Sequence, residues 1–136
     1  MKKLLTASTV TFVLSMLLGT GSAFAHHSFA SEYDASKPVT IKGAIVKFQW
    51  INPHSWLHID VRDANGLVST WAVEFGSPSS LLRSGFRKDD LPVGTEVTVT
   101  GHLARNGSKT VHSSGVKLAN GTELFSGTPG GSADEK

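Results

Sequence analysis

The chain has 136 residues, no cysteine, and 13 Lys and Arg against 11 Asp and Glu. Without cysteine it has neither disulfides nor thiolate metal sites, so a domain of this size must hold itself with an apolar core. The formal charge of +2 is lost if Lys2 and Lys3 leave with a leader, and a balanced chain lacks the electrostatic footprint of a nucleic-acid binder.

Such a leader opens the sequence. Met1-Lys2-Lys3 is a short basic start, Leu4 to Leu18 is mostly apolar, and Ala23-Phe24-Ala25 has the small-x-small form that signal peptidase cuts. The apolar run is shorter than the roughly 18 residues of a membrane span, and Gly19 and Gly21 follow it. Residues 1–25 are therefore expected to be an export signal cut before His26. That leaves one domain of about 111 residues, periplasmic or secreted, with no membrane attachment.

Residues 26–38 are polar apart from Phe29 and Tyr33 and read as a loosely held arm. From Val39 the pattern turns to strands. Val39, Ile41, Gly43 and Ile45 alternate with Thr40, Lys42 and Ala44, the period of a half-buried strand. Val46, Phe48 and Trp50 carry the same period on shifted positions, which predicts a bulge near Ile45-Val46. A second strand follows, with Leu57, Ile59 and Val61 inward and Trp56, His58, Asp60 and Arg62 outward. Asn65-Gly66 is a hairpin signal, and Leu67 to Phe75 is the third strand, with Trp71, Val73 and Phe75 on its buried face. Ser77 as N-cap, Pro78 at the first position and Gly85 as terminator outline a short helix burying Leu81, Leu82 and Phe86. Glu96 to His102 is a fourth strand, Asn106-Gly107 a second hairpin turn, and Thr110 to Leu118 a fifth strand with a bulge at Ser113-Ser114-Gly115. A turn at Asn120-Gly121 permits a last short strand at Glu123-Leu124-Phe125, and the Gly-rich residues 126–136 are expected to be disordered.

Three strands, a short helix, then two strands is the order of the five-stranded Greek-key barrel of the OB type. The expected fold is thus an all-β, OB-like barrel over residues 39–125 with one short helix between strands three and four. The strings HHSFASEYD, WINPHSW, Trp71-Ala72-Val73-Glu74-Phe75 and Leu91-Pro92-Val93-Gly94 also resemble a family of short exported bacterial proteins of unknown function. The resemblance covers about His26 to Phe125. It implies export and a small β-domain, and carries no activity, substrate or site residue.

In OB barrels the loop between strands one and two, with the outer face of strands two and three, is the usual ligand surface. That places Trp50, Asn52, His54, Trp56, His58 and Glu74 at a candidate binding site. An exposed indole offers a flat apolar face, whereas a buried one merely closes the core. Alternation with Val73 and Phe75 assigns Trp71 to the core, Trp50 fits either role, and polar neighbours assign Trp56 to the surface. Asn52-Pro53 has the structural task of reversing the chain.

The six histidines include no recognised zinc pattern. His54 and His58 would stand about 13 Å apart in an extended strand, too far to share a metal. Cleavage before His26 creates one exception. The new α-amine and the His26 ring Nδ1 can chelate Cu(II), with His27, or a folded-back His54 or His58, as further ligands. His102 and His112 read as a pair facing across the last hairpin. No nucleophile–base pair is visible, so enzymatic activity is not expected. The sequence thus points to a binding or interaction module without a cofactor, whose partner is a small molecule or a periplasmic protein. The alternative is a copper-binding protein using His26, His27 and His54.

Overall fold

The computed structural model describes residues 29–124. The expected leader, His26, His27, Phe125 and the Gly-rich tail lie outside the described residues. A single helical turn, α1 (Phe29–Glu32), runs directly into β1 (Tyr33–Gln49). Then come β2 (Trp56–Arg62), β3 (Val68–Glu74), helix α2 (Pro78–Arg83), a 3-10 turn (Lys88–Asp90), β4 (Glu96–Ala104), β5 (Thr110–Leu118) and the short β6 (Glu123–Leu124).

The described chain is mostly β, as its alternating pattern requires. β1 is the hub: residues 43–49 pair antiparallel with β2, and residues 38–44 pair antiparallel with β4. β2 pairs with β3 and β4 with β5, both antiparallel. β3 then meets β5 in parallel, Ala72 to Glu74 beside Thr110 to His112. The pairings β1–β2–β3–β5–β4–β1 close a ring, and β6 extends β5 outside it.

Two devices curl the strands tightly enough to close. The first is a bulge: the β1–β2 register slips between Ile45 and Lys47, at the phase slip of the hydrophobic pattern. Val46 is the extra residue and faces solvent, while Ile45 is buried. The second is close backbone approach at two inward-facing glycines. A Cβ on Gly43 would collide with the carbonyl oxygen of Asp60, and one on Gly101 with that of His112. Gly101 stands beside the second bulge, where the β4–β5 register slips and Ser114 is left over.

The interior is apolar. Ile41, Ile45, Leu57, Ile59, Val73, Phe75, Val97, Val99 and Val111 line it from the five ring strands or their ends, and Leu81, Phe86 and Leu91 close it from the β3–β4 connection. Ser77 caps α2 by accepting from the Ser80 N–H at 3.2 Å, and Pro78 fills the first helical position. One expected core residue is misplaced: Leu82 is 54 % exposed. A helix of six residues offers only one buried face, and successive residues lie ~100° apart around it, so Leu81 takes that face and Leu82 turns away.

The arm also differs from expectation. Strand structure begins at Tyr33, well ahead of Val39, and Tyr33 is 4 % exposed. Residues 34–37 loop out between the pairs Tyr33–Ala104 and Pro38–His102. Asp34 closes that excursion by accepting from Ser36 N–H at 3.1 Å and Ser36 Oγ at 2.7 Å. The Arg105 backbone N–H donates to Glu32 O at 2.8 Å, and its Nε to Ala30 O at 2.8 Å. These bonds tie the start of the described chain to the β4–β5 hairpin.

Candidate functional site

The loop from Trp50 to Ser55 contains a cis Asn52–Pro53 peptide. Its exit is pinned beside the end of β3: Ser55 N–H donates to Gly76 O at 3.1 Å, and Phe75 N–H to Ser55 O at 2.8 Å. His54 is thereby held over Glu74. Along β3, Val73 and Phe75 point inward, so Glu74 points to the outer face. It is nevertheless only 5 % exposed. A buried carboxylate is costly unless its oxygens are bonded, and here both are. The Tyr33 hydroxyl donates to Oε2, and Oε1 is bonded to His54 Nδ1. A carboxylate can only accept, so His54 Nδ1 carries a proton toward it, and Nε2 lies on the other side of the ring. The His54 side chain is 43 % exposed, which leaves this ring half open to solvent.

Across the strands a row of side chains shares this outer face. Trp56 on β2 is the register partner of Glu74 on β3, Glu74 that of His112 on β5, and His112 that of His102 on β4. The Phe29 ring lies across the row. It stacks on Tyr33 at 5.8 Å between centroids and meets His112 and His102 edge-on at 5.1 and 5.4 Å. Tyr33 also touches the His112 ring at 5.2 Å. This cover governs the titration of the cluster. Burial, helped by the charges of His54 and His102, pushes His112 from 6.5 down to about 4, so its ring is neutral near neutral pH. Burial, helped by Glu32, raises the Tyr33 phenol from 10.0 to about 12.

Of the residues expected at the site, His54, Trp56 and Glu74 come together. His58 stands further along β2 and is bonded through Nε2 to Gln49 Oε1 at 2.8 Å. Burial first, and Lys47 second, hold it below the ordinary histidine value. Trp50 is half-buried at the edge of the core, stacked on Phe86 at 6.2 Å and edge-on to Phe48 at 5.6 Å. Asn52 is exposed in the loop, and Ile51 beside it is 48 % exposed. Asp60 accepts from Thr70 Oγ1 at 2.6 Å and is separated from Glu74 along the β2–β3 ladder.

Sequence reasoning missed Tyr33 and Phe29 as parts of the site, and treated His112 only as half of a hairpin pair. A signal for the aromatics existed: Phe29 and Tyr33 are four apart, the spacing that brings side chains together on a helical turn. None existed for His112, because a parallel pairing between β3 and β5 leaves no mark in the local pattern. Among the described residues, no three His, Cys, Asp or Glu side chains converge to hold a metal ion. An open groove of about 490 Å³ lies further along the β4–β5 face toward β6, lined by Thr98, Thr100, Ser114, Lys117 and Leu124 among others.

The described residues form a small ring of strands that carries a covered carboxylate, bonded to a half-exposed imidazole, on its outer face. Over residues 14–113 the chain matches a family of unknown function, DUF6152, and it belongs to that family. Neither a curated protein nor a solved structure matches it. Among the described residues no helix is long and apolar enough to cross a membrane.

Proposed function

We propose that the chain is an exported binding module, built as a five-stranded OB-like Greek-key barrel, that recognises its ligand beside the loop joining β1 and β2. The ring order β1–β2–β3–β5–β4 and the helix between β3 and β4 support the OB reading. In that fold the loop and the outer face of β2 and β3 are where ligands are taken. The observation that carries the reading is the buried Glu74 carboxylate, bonded to Tyr33 and His54. It fixes the orientation of a half-exposed imidazole beside Trp56, a polar group and a flat apolar face on one surface. Such a pairing suits a small molecule or a peptide side chain offering both a hydrogen-bonding group and a hydrophobic body. His58, Asn52 and Trp50 are assigned to the margin of this surface.

Native mass spectrometry of protein recovered from the exported fraction tests this. The expected result is a bound species in the wild type that is depleted in both His54→Ala and Trp56→Ala. A species retained undiminished by both variants places recognition elsewhere and removes the reading.

A further inference from the structure

We propose that the Phe29 ring fills a slot made for a planar aromatic group with a hydrogen-bonding substituent, and that α1 is the strap that carries this ring in and out. The slot adjoins the recognition face described above. The proposal rests on that reading and names the kind of ligand group the face admits.

Three observations lead there. First, Phe29 is held by rings and not by the core. Tyr33 stacks on it at 5.8 Å between centroids, and His102 and His112 meet it edge-on at 5.4 and 5.1 Å. These are the arrangements and separations that one aromatic ring prefers for another. The half-buried apolar residues packed against the core include Phe48, Trp50 and Trp71 but not Phe29. Second, the segment that carries the ring is weakly built. α1 is a single turn of four residues, none of them buried, and is too short to persist without outside contacts. Its carbonyls at Ala30 and Glu32 are tied to Arg105, through Nε and the backbone N–H, at 2.8 Å each. Neither bond belongs to the pairings that close the ring of strands, so the turn can leave while the ring stays closed. Third, the slot has a polar wall. His112 is faced by Tyr33 from β1, Glu74 from β3, His102 from β4 and His54 from the loop. A phenyl ring offers these imidazoles no hydrogen bond, whereas an aromatic ring with a hydroxyl or an amide does. Neighbouring strands stand about 4.8 Å apart, and Glu74 beside His112 is the residue that holds His54. A ligand ring in the slot therefore reaches the recognition face.

The tethered ring sets the selectivity. It competes with a free ring for one slot, so the apparent affinity falls with the fraction of molecules whose strap is closed. An aliphatic group of the same size would displace Phe29 without regaining its stacked and edge-on contacts. Opening the strap also admits water to His112. Burial holds that imidazole at about 4, so its titration moves up toward 6.5 while the cover is off and returns when another ring takes its place.

The test uses the full chain and two probes of similar size, phenol and cyclohexanol, followed through the ring signals of His102 and His112 in nuclear magnetic resonance. Phenol should bind Phe29→Ala about tenfold or more tightly than wild type, because the tethered competitor is gone. Cyclohexanol should bind that variant more weakly than phenol. In Phe29→Ala the His112 titration should rise from about 4 toward 6.5, and saturating phenol should bring it back down. Arg105→Ala keeps the ring and removes the Nε tether, so its phenol affinity should fall between the two. That variant decides alone should Phe29→Ala fail to fold. Equal phenol affinity in wild type and variants, or phenol and cyclohexanol binding alike, overturns the slot and leaves Phe29 as a cover. The same result in a protein that keeps a His54- and Trp56-dependent adduct overturns the slot and spares the recognition face. An adduct indifferent to His54 and Trp56 removes the face, and with it the assignment of the slot to its ligand, even where phenol binds.

Discussion

Phe75 and Glu74 are neighbours in the chain and belong to different worlds. Phe75 points into the ring, where it meets Phe48 and Phe86 edge-on at 5.7 Å each, with Trp50 stacked beyond. Glu74 points out, into a cover made by Tyr33 and His54. Both are buried, Phe75 to 0 % exposure and Glu74 to 5 %. For Phe75 burial is itself the gain, at about 25 cal/mol per Å² of apolar surface. For Glu74 burial is a cost offset by two donors, and the net return on such bonds is small. Burial of this group yields little stability and its partner is left half open to solvent, which is the arrangement the proposed recognition face calls for. The aromatic end should therefore carry stability and the carboxylate face should carry function.

Removing the best-packed part of the aromatic end gives the largest expected effect. Phe86 is 1 % exposed and touches Phe48, Trp50 and Phe75. Phe86→Ala should cost about 3–5 kcal/mol, the usual range for a core aromatic, read as a lower urea midpoint. A cost no larger than that of a change at the carboxylate face would break the division.

The carboxylate face responds more weakly and in a way that pH can separate. Tyr33→Phe removes one donor from a buried carboxylate and should cost about 1–3 kcal/mol near neutral pH. The same phenol makes stability sensitive to alkali. Its value is 10.0 when unperturbed and about 12 in the folded chain, so the folded state resists losing that proton. The phenol's contribution is then complete below pH 10 and declines as pH rises toward 12. Tyr33 is the only tyrosine in the sequence, so tyrosinate absorbance follows it without overlap. The titration should move down toward 10.0 in urea, and Tyr33→Phe should lack this component of alkaline destabilisation. A folded-state titration near 10.0 would mean that the arm does not cover the phenol.

The aromatic end was far more legible in the sequence than the carboxylate face. Alternation placed Leu57, Ile59, Val73 and Phe75 inward, and the phase slip at Ile45-Val46 marked the bulge, because these signals depend on neighbours along one strand. Ser77-Pro78 marked the start of α2 for the same reason. The face around Glu74 depends on contacts between distant segments. Tyr33 reaches it from the first described residues, His54 from a loop, and His112 through the parallel β3–β5 pair. His54, Trp56 and Glu74 were still placed on one surface, since fold order alone put that loop beside β3. Trp50 shows the limit of reading indoles in pairs. Its phase follows Phe48 across the bulge, which turns it toward Phe86, while Trp56 begins a new strand with the opposite phase.

The smallest expected effect sits on the boundary between the two regions. Ser55 lies between His54 and Trp56, is 0 % exposed, and bonds Gly76 and Phe75 through its backbone. Its Oγ has no hydrogen-bond partner among the described residues. Ser55→Ala keeps both backbone bonds and removes only a desolvated hydroxyl. It should be neutral or stabilising by up to about 1 kcal/mol, measured by thermal or urea unfolding. His54 would keep its place over Glu74, because the loop exit is pinned by main chain. A loss beyond about 1 kcal/mol would mean that the hydroxyl has a partner. The polar network would then reach through the strand end into the core, and Phe75 and Glu74 could no longer be treated as separate.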